Sequence, residues 1–268
     1  MRIRMIATDL DGTLLRRDKT ISAYTAQVFS RLRERGIKVL FATGRPGRTT
    51  TGFAEMIMPH GVIQNNGAGI EIADTTIFES HIAPAAVKAI VETLRGRDGV
   101  KLWLDYSSHS VTDHGNYLLW GSFEPVHACD FSEYDAENVQ KIAIEAMDAS
   151  MLASIDFDAL GCWIHGTVGE PWYMVMANGV SKLSALKTAA AHFDIGITEV
   201  AAFGDDENDI DMLQGCGIGI AMENAIDEVK AVADHICGSN EDDGVAKWLE
   251  ANVLCDDHIA GRAVCALK

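Results

Sequence analysis

The sequence predicts an α/β fold in which a parallel-sheet core is interrupted by an inserted α+β segment. Three observations carry this. Two strand-like runs, Ile6 to Thr8 and Ile37 to Ala42, flank one amphipathic helix pattern, which makes a strand-helix-strand unit. The pattern changes from about Ile82 to Asn178, and after Asn178 helix and strand alternate again. The strands of the outer parts end in polar clusters, and open sheets of this kind bind ligands at the carboxyl ends of their strands.

The first strand ends in two aspartates. Asp9 and Asp11 stand two apart in Asp9-Leu10-Asp11-Gly12-Thr13-Leu14-Leu15, where Gly12 permits a sharp departure of the backbone and Thr13 adds a hydroxyl. Two carboxylates about 4 Å apart repel by about 4 kcal/mol at an effective dielectric near 20. Such a pair needs a cation or a shared proton. Alone, Asp-x-Asp-Gly is an ordinary solvated turn; the seven-residue form after a strand is a much rarer pattern.

Ser22 is a good N-cap, Tyr24, Val28 and Leu32 repeat at i+4, and Gly36 is a stop signal. Arg31, Arg33 and Arg35 at the end of this helix read as a solvated face favoured by the helix dipole. The second strand ends in Thr43-Gly44-Arg45-Pro46, so Thr43 would point a hydroxyl and a backbone N–H into the crevice that holds Asp9. Arg45 reads equally as a phosphate contact or as a surface arginine at a helix start. Val62 to Gln64 makes a short strand, and Asn65-Asn66-Gly67-Ala68 after it carries a hairpin signal.

In the inserted segment the pattern gives a helix from Pro84 to Leu94, a strand from Val100 to Tyr106 and another around Ser110. Further elements run from Val139 to Ala146 and from Tyr173 to Met176. The segment holds 14 Asp+Glu against 5 Lys+Arg, and four of the five tryptophans: Trp103, Trp120, Trp163 and Trp172. Most of those rings are expected in its core, with one or two facing a ligand.

Lys182 stands where the chain returns to a helix. Val200 to Phe203 is a strand that ends in Gly204-Asp205-Asp206-Glu207-Asn208-Asp209, four acids in five residues that need a cation. Asp205 is expected beside Asp9, Asn208 or Asp209 is expected to cap the helix Ile210 to Leu213, and Asp206 and Glu207 are expected in solvent. Gly215-Cys216-Gly217-Ile218-Gly219 superficially suggests a dinucleotide loop. That loop needs a strand before the glycines and a helix after them, and here the order is reversed.

A chain of 268 residues with 48% apolar content can fill real cores. No apolar run reaches the roughly 18 residues a membrane span needs, and Asp9 interrupts the segment a signal peptide would use, so a cytoplasmic protein is expected. The six cysteines show no paired spacing and are expected to be mostly buried thiols. A net charge of −17 argues against nucleic acid and anionic membranes as partners. The first 50 residues hold 11 Lys+Arg against 4 Asp+Glu, so an anion must be attracted locally.

Taken in order, these motifs resemble the signatures of the haloacid dehalogenase (HAD) superfamily of phosphotransferases, in its Cof-like branch. The run from Asp9 to Leu15 is similar to the first signature, Thr43 to the second, Lys182 to the third and Gly204 to Asp209 to the fourth. Asn65-Asn66-Gly67-Ala68 and Asp242-Asp243-Gly244-Val245-Ala246 also resemble the branch, while Leu183 and Glu223 stand where it usually has Gly. Only 31 residues separate Asp11 from Thr43 but 115 separate Asn66 from Lys182, so the insertion resembles a type IIB cap.

The resemblance implies a Rossmann-like core of residues 1–81 and 179–268 and an α+β cap of residues 82–178. It implies a phosphatase that hydrolyses small phosphomonoesters, such as sugar phosphates or pyridoxal phosphate, through an aspartyl-phosphate. Asp9 would be the nucleophile. Asp11 would be the acid and base, with a pKa raised towards neutrality by its carboxylate neighbours.

Mg²⁺ would be held by the Asp9 side chain, the Asp11 backbone carbonyl and the Asp205 side chain. Leu10, Thr43, Gly44, Arg45, Asn66, Lys182 and Asn208 would bind phosphate or substrate, supported by Asp209. A monomer or small homo-oligomer is expected. The alternatives are a phosphomutase of the phosphomannomutase type, which needs a second phosphate site under an acidic cap, and a degenerate phosphate-binding regulatory module.

Overall fold

Met5–Thr8 (β1) is buried at every position, as a strand covered on both faces requires. The computed structural model that places it describes residues 2–114, 126–167 and 170–255. Trp120, Cys265 and the tail after Cys255 lie outside them. Ala23–Glu34 (α1) follows, with the Ser22 side chain accepting from the Thr25 amide as its cap, and then Lys38–Ala42 (β2). Thr51–Ile57 (α2), Gly61–Gln64 (β3), Gly69–Ile72 (β4) and Thr75–Glu79 (β5) come next.

The inserted part consists of Pro84–Leu94 (α3), Val100–Asp105 (β6), Ser110–Thr112 (β7), Val126–Ala128 (β8), Lys141–Ala146 (β9), Cys162–Gly166 (β10) and Trp172–Ala177 (β11). After it run Lys182–His192 (α4), Val200–Gly204 (β12), Ile210–Gly215 (α5), Ile218–Ala221 (β13), Asp227–Val232 (α6), His235–Ile236 (β14) and Gly244–Asn252 (α7).

Among the described residues the strands form two sheets. The first has eight strands in the order β14-β13-β12-β1-β2-β3-β4-β5. It is parallel from β14 to β3, and β4 and β5 add as antiparallel hairpins. β1 lies between β2 and β12, so the loops after these three strands open side by side. Asn65 and Asn66, both at positive φ, turn β3 into β4, and the expected Asn-Gly hairpin is present.

The second sheet has the order β10-β11-β9-β6-β7-β8 and is antiparallel except for the β7/β8 pair. Alternation divides its residues between two faces. Leu102, Leu104, Ile142, Ile144 and Val175 pack with α3 in one apolar core. On the other face Lys101, Glu145 and Trp172 stand in register, as do Trp103, Ala143 and Met174, and Asp105 with Lys141.

The structure corrects several expectations. Among the described residues the apolar core under α3 includes Phe131 and Tyr106 but no tryptophan: Trp103, itself fully buried, and Trp172 contact one another on the opposite face, and Trp163 donates to the Val180 carbonyl. Two of the five described cysteines are buried, two are partly exposed and one is exposed. Arg31, Arg33 and Arg35 are not merely solvated. Arg31 pairs with Glu250, Arg33 donates to the Ile57 carbonyl, and Arg35 donates to the Val253 and Leu254 carbonyls, which fasten α1 to its neighbours.

Candidate active site

The β1, β2 and β12 ends converge with the start of α4. Gly12 has φ +79°, and a Cβ built on it would lie 2.1 Å from an Asp205 oxygen, so glycine lets the first loop touch the third. Thr13 donates to Asp205 Oδ1 at 2.6 Å, and Asn224 Nδ2 holds the Gly12 carbonyl at 2.7 Å. Ser181 and Ser184 form a capping box at the start of α4. That cap fixes Lys182, whose Nζ donates to Asp9 Oδ1 at 2.8 Å and to Asp209 Oδ1 at 2.7 Å.

Asp9, Asp205 and Asp209 offer oxygens that all lie within 4.8 Å of one another. Burial, opposed by Lys182 and assisted by the charges of Asp209 and Asp11, pushes the Asp9 carboxyl up to about 7. Burial and the charges of Asp9 and Asp209 likewise push Asp205 well above the usual carboxylate range. Burial works against the Lys182 ammonium too, but the two carboxylates outweigh it and hold its pKa above the ordinary lysine value. A cluster that raises its own carboxyl pKa values is short of positive charge, and hard oxygen donors of this kind fit Mg²⁺.

The cluster opens on a cleft of about 620 Å³, within the range of small-ligand sites. Asp9, Asp11, Gly12, Lys19, Thr43, Gly44, Arg45, Asp205, Asp206 and Asn208 line it from the first sheet. Ala143, Glu145, Thr167, Glu170, Pro171, Trp172 and Met174 line it from the second.

Residues 6–249 match the haloacid dehalogenase-like hydrolase family. The chain belongs to that family. It is 28% identical over 262 residues to the 5-amino-6-(5-phospho-D-ribitylamino)uracil phosphatase YitU of Bacillus subtilis, covering 92% of this chain and 96% of the relative. It is also 28% identical to the HMP-PP phosphatase of Klebsiella pneumoniae, over 87% and 89% of the two chains. The solved HAD subclass IIB sugar phosphatase BT4131 superposes with a TM-score of 0.79 at 25% identity, over 92% of this chain and 98% of that one.

This chain is thus an HAD phosphatase by family, and its departures from the family pattern have local explanations. Leu183 fills the space over Gly215, where a Cβ would lie 2.4 Å from its side chain. Glu223 is exposed, while Asn224 beside it makes the structural contacts to Gly12 and to the Asn240 amide.

The positions expected to bind phosphate fall into three groups. Thr43, Gly44, Arg45 and Asn208 line the cleft, and Lys182 meets Asp9 at its floor. Asn66 is buried behind them: its Oδ1 accepts from Asn208 Nδ2 at 2.9 Å, and its Nδ2 faces the sulfurs of Met174 and Met176. Leu10 is fully buried in the apolar core, which leaves only its backbone at the loop.

Asp209 does not cap α5 with its side chain. Oδ1 is taken by Lys182, and Oδ2 accepts from the Asp205 and Asp206 amides at 3.0 and 3.3 Å. Asp206 instead caps the turn that leads into α5, and its carboxylate borders the cleft.

Asp11 is the main correction. Burial alone would raise its pKa, but the hydrogen bond and charge of Arg45, together with Lys19, outweigh burial and hold the carboxyl below its ordinary value. Arg45 forks onto it at 2.5 and 2.7 Å, and Lys19 Nζ reaches Oδ1 at 2.6 Å. The carboxylate neighbours that were expected to raise it are outweighed by these two cations.

Sequence reading did not single out Lys19, Glu145 or Glu170, and it named Trp172 only as one of four tryptophans of which one or two were expected to face a ligand. Lys19 carried no motif. Glu145 and Glu170 were visible only as part of an acidic composition, and which of the tryptophans meets the cleft is decided by the packing of the sheets.

Proposed function

We propose that this chain is a Mg²⁺-dependent phosphatase of small phosphomonoesters acting through an aspartyl-phosphate on Asp9, with residues 82–178 as a cap over a core of residues 1–81 and 179–268. The observation that carries the reading is the junction of Lys182 with Asp9 and Asp209, beside Asp205, at the floor of a cleft bordered by Thr43. The side chains of Asp9 and Asp205 and the backbone carbonyl of Asp11 would hold the ion, which when bound supplies positive charge against the phosphoryl oxygens.

Asp9 attacks phosphorus and the ester oxygen leaves, then water attacks the aspartyl-phosphate and restores Asp9. Lys182 opposes the protonation of Asp9 that burial favours, and the ion when bound would add to that opposition. The Thr43 hydroxyl and the Gly44 amide receive the phosphoryl oxygens; the Thr43 amide, expected to face the crevice, instead donates to the Ile63 carbonyl, and the Arg45 amide donates to Thr43 Oγ1. As an ion pair with Arg45 and Lys19, Asp11 is poised as the base that takes a proton from the water. Phosphoryl oxygens that draw off Arg45 or Lys19 would leave burial as the main influence on Asp11, and a carboxyl raised in that way can protonate the leaving alcohol.

Above the cleft, Trp172 lies on Trp103 with ring centroids 4.9 Å apart. Glu145 beside it is held by Lys101 at 2.9 Å, and Glu170 completes an acidic rim. This lining suits an uncharged or cationic leaving group, a sugar, polyol or heterocycle that stacks on Trp172 and donates hydrogen bonds to the acids. The relatives named for a phosphoribitylamino-uracil and a sugar phosphate are in keeping with it, and pyridoxal phosphate also fits this description.

A phosphomutase would need cations for a second phosphate, and among the described cap residues that line the cleft there is no lysine or arginine. A degenerate binding module would have no use for a filled set of Asp9, Asp11, Thr43, Lys182 and Asp205. The test is phosphate release from a panel of esters with and without Mg²⁺. The parent should turn over only with the ion, and Asp9→Asn should be slower by at least about a thousandfold, since it removes the nucleophile. Equal rates for the two proteins would remove Asp9 from that role.

A further inference from the structure

The turn that follows β2 is fixed from two directions. The Thr43 carbonyl accepts from the Asn66 amide at 3.0 Å and the Arg45 carbonyl accepts from the Asn65 amide at 2.9 Å, both from the core. The carbonyl between them, on Gly44, accepts at 2.7 Å from Lys141 Nζ, which comes from β9 in the inserted sheet. Lys141 is fully buried. Its countercharge is Asp105 on the paired strand β6, at 3.1 Å and also buried.

Asp105 in turn accepts from Ser110 and lies 3.6 Å from Arg48. Arg48 belongs to the core, three residues beyond Arg45, and donates to Ser110 Oγ at 2.5 Å and to the Tyr106 carbonyl at 2.9 Å in the inserted part. The segment from Gly44 to Arg48 is therefore gripped at both ends by one buried polar network of the second sheet.

A buried ion pair of this kind is a poor way to gain stability, because desolvation offsets most of the attraction and an apolar pair would pack as well. What it adds is register, since an ammonium aimed at one carbonyl tolerates little displacement. We propose that Lys141 is a positioning residue. From the inserted sheet it fixes the Gly44 carbonyl and so holds Thr43 and Arg45 in their phosphoryl-binding arrangement. The phosphate loop is then complete only when the inserted sheet is seated on the core. This rests on the reading of the Thr43 turn as the phosphoryl site.

The full chain tests it through two readouts, the Kd of inorganic phosphate by calorimetry in Mg²⁺ and the KM for methyl phosphate, whose leaving group is too small to need the cap. Lys141→Met should weaken both by about tenfold, the scale of one charged hydrogen bond, and Lys141→Arg should recover part of the loss. A role in stability alone would lower Tm and leave both constants unchanged, and that result overturns the proposal. Should Lys141→Met fail to fold, Asp105→Asn carries the test, with a several-fold weakening expected and parent-like phosphate binding overturning it. A parent that hydrolyses no ester strikes the phosphatase reading, whereas parent-like phosphate binding by a folded Lys141→Met strikes this proposal alone.

Discussion

At the scale of single residues the site is a balance of burial against pairing. Asp11 is held low by Arg45 and Lys19 in spite of burial, so Arg45→Gln should let its pKa rise. With saturating Mg²⁺, which would hold Asp9 ionised, the acidic limb of the pH profile of kcat should report Asp11 and move to higher pH in this variant, and an unmoved limb would separate Arg45 from the chemistry. Asp9 shifts the other way, from 3.8 to about 7, so the folded state binds its proton more tightly than the unfolded chain does. Its contribution to stability is therefore complete in acid and is lost as pH rises towards 7, and Asp205 acts in the same direction. Without divalent ion, Tm should show this loss over that window. Mg²⁺ should raise Tm more above pH 7 than below it, the stabilisation reaching about 2.7 kcal/mol where the ion stands at a hundredfold excess over its Kd; a Tm gain independent of pH would mean that the ion binds elsewhere.

At the scale of elements, the strands of the second sheet carry two messages on alternate residues. Ile142 and Ile144 of β9 pack against α3, while Lys141, Ala143 and Glu145 face the core and its cleft. Substitutions on the second face should alter specificity more than folding. Trp172→Ala should raise KM for ring-bearing or polyol esters by about two- to thirteenfold, as expected for loss of about 0.5–1.5 kcal/mol of ring contact, and leave kcat for methyl phosphate near the parent value. The same rim should disfavour a second phosphate, so a bisphosphate preferred over its monophosphate would refute the assignment of the leaving group. Most elements were legible from pattern: α3 runs from Pro84 to Leu94 as the periodicity predicts, and β2, β6 and β12 fall within one residue of their expected ends. β10 was not anticipated, because Cys162–Gly166 mixes Trp, Ile, His and Gly on a strand that is only partly buried.

At the scale of the molecule, two apolar cores lie under two sheets, and the described contacts between the sheets around the cleft are mostly polar. A small apolar cluster of Ala68, Met174, Met176 and Val180 adds to that junction. Interfaces of this composition permit separate transitions. Calorimetry should resolve two components, and Ile90→Ala, which removes a fully buried side chain of α3, should lower one of them by about 2–5 kcal/mol and leave the other in place. A single transition that shifts as a whole would show that the network through Lys141 and Arg48 couples the cores completely. The net charge of −17 makes that network and the local cations Lys19, Arg45 and Lys182 the more necessary, since the overall field repels a phosphate ester.

By itself the sequence determined the α/β class and the place of Asp9, Thr43 and Asp205 just after strands, because apolar runs make buried strands and the polar residues that follow them lie at strand ends. The choice of these residues, and of Lys182 at a helix start, came from the resemblance to the family's signatures. Only the tertiary structure decided which groups touch. Asp11 lies between Arg45, 34 residues away, and Lys19, which reverses its expected pKa shift. Asn66 turned inward to brace Asn208, and Lys141, unremarkable as one charge among many, became the partner of Gly44. The physical reason is that a pattern of burial repeats along the chain and can be read there, whereas the partner of a buried charge is fixed by the packing of segments far apart in sequence.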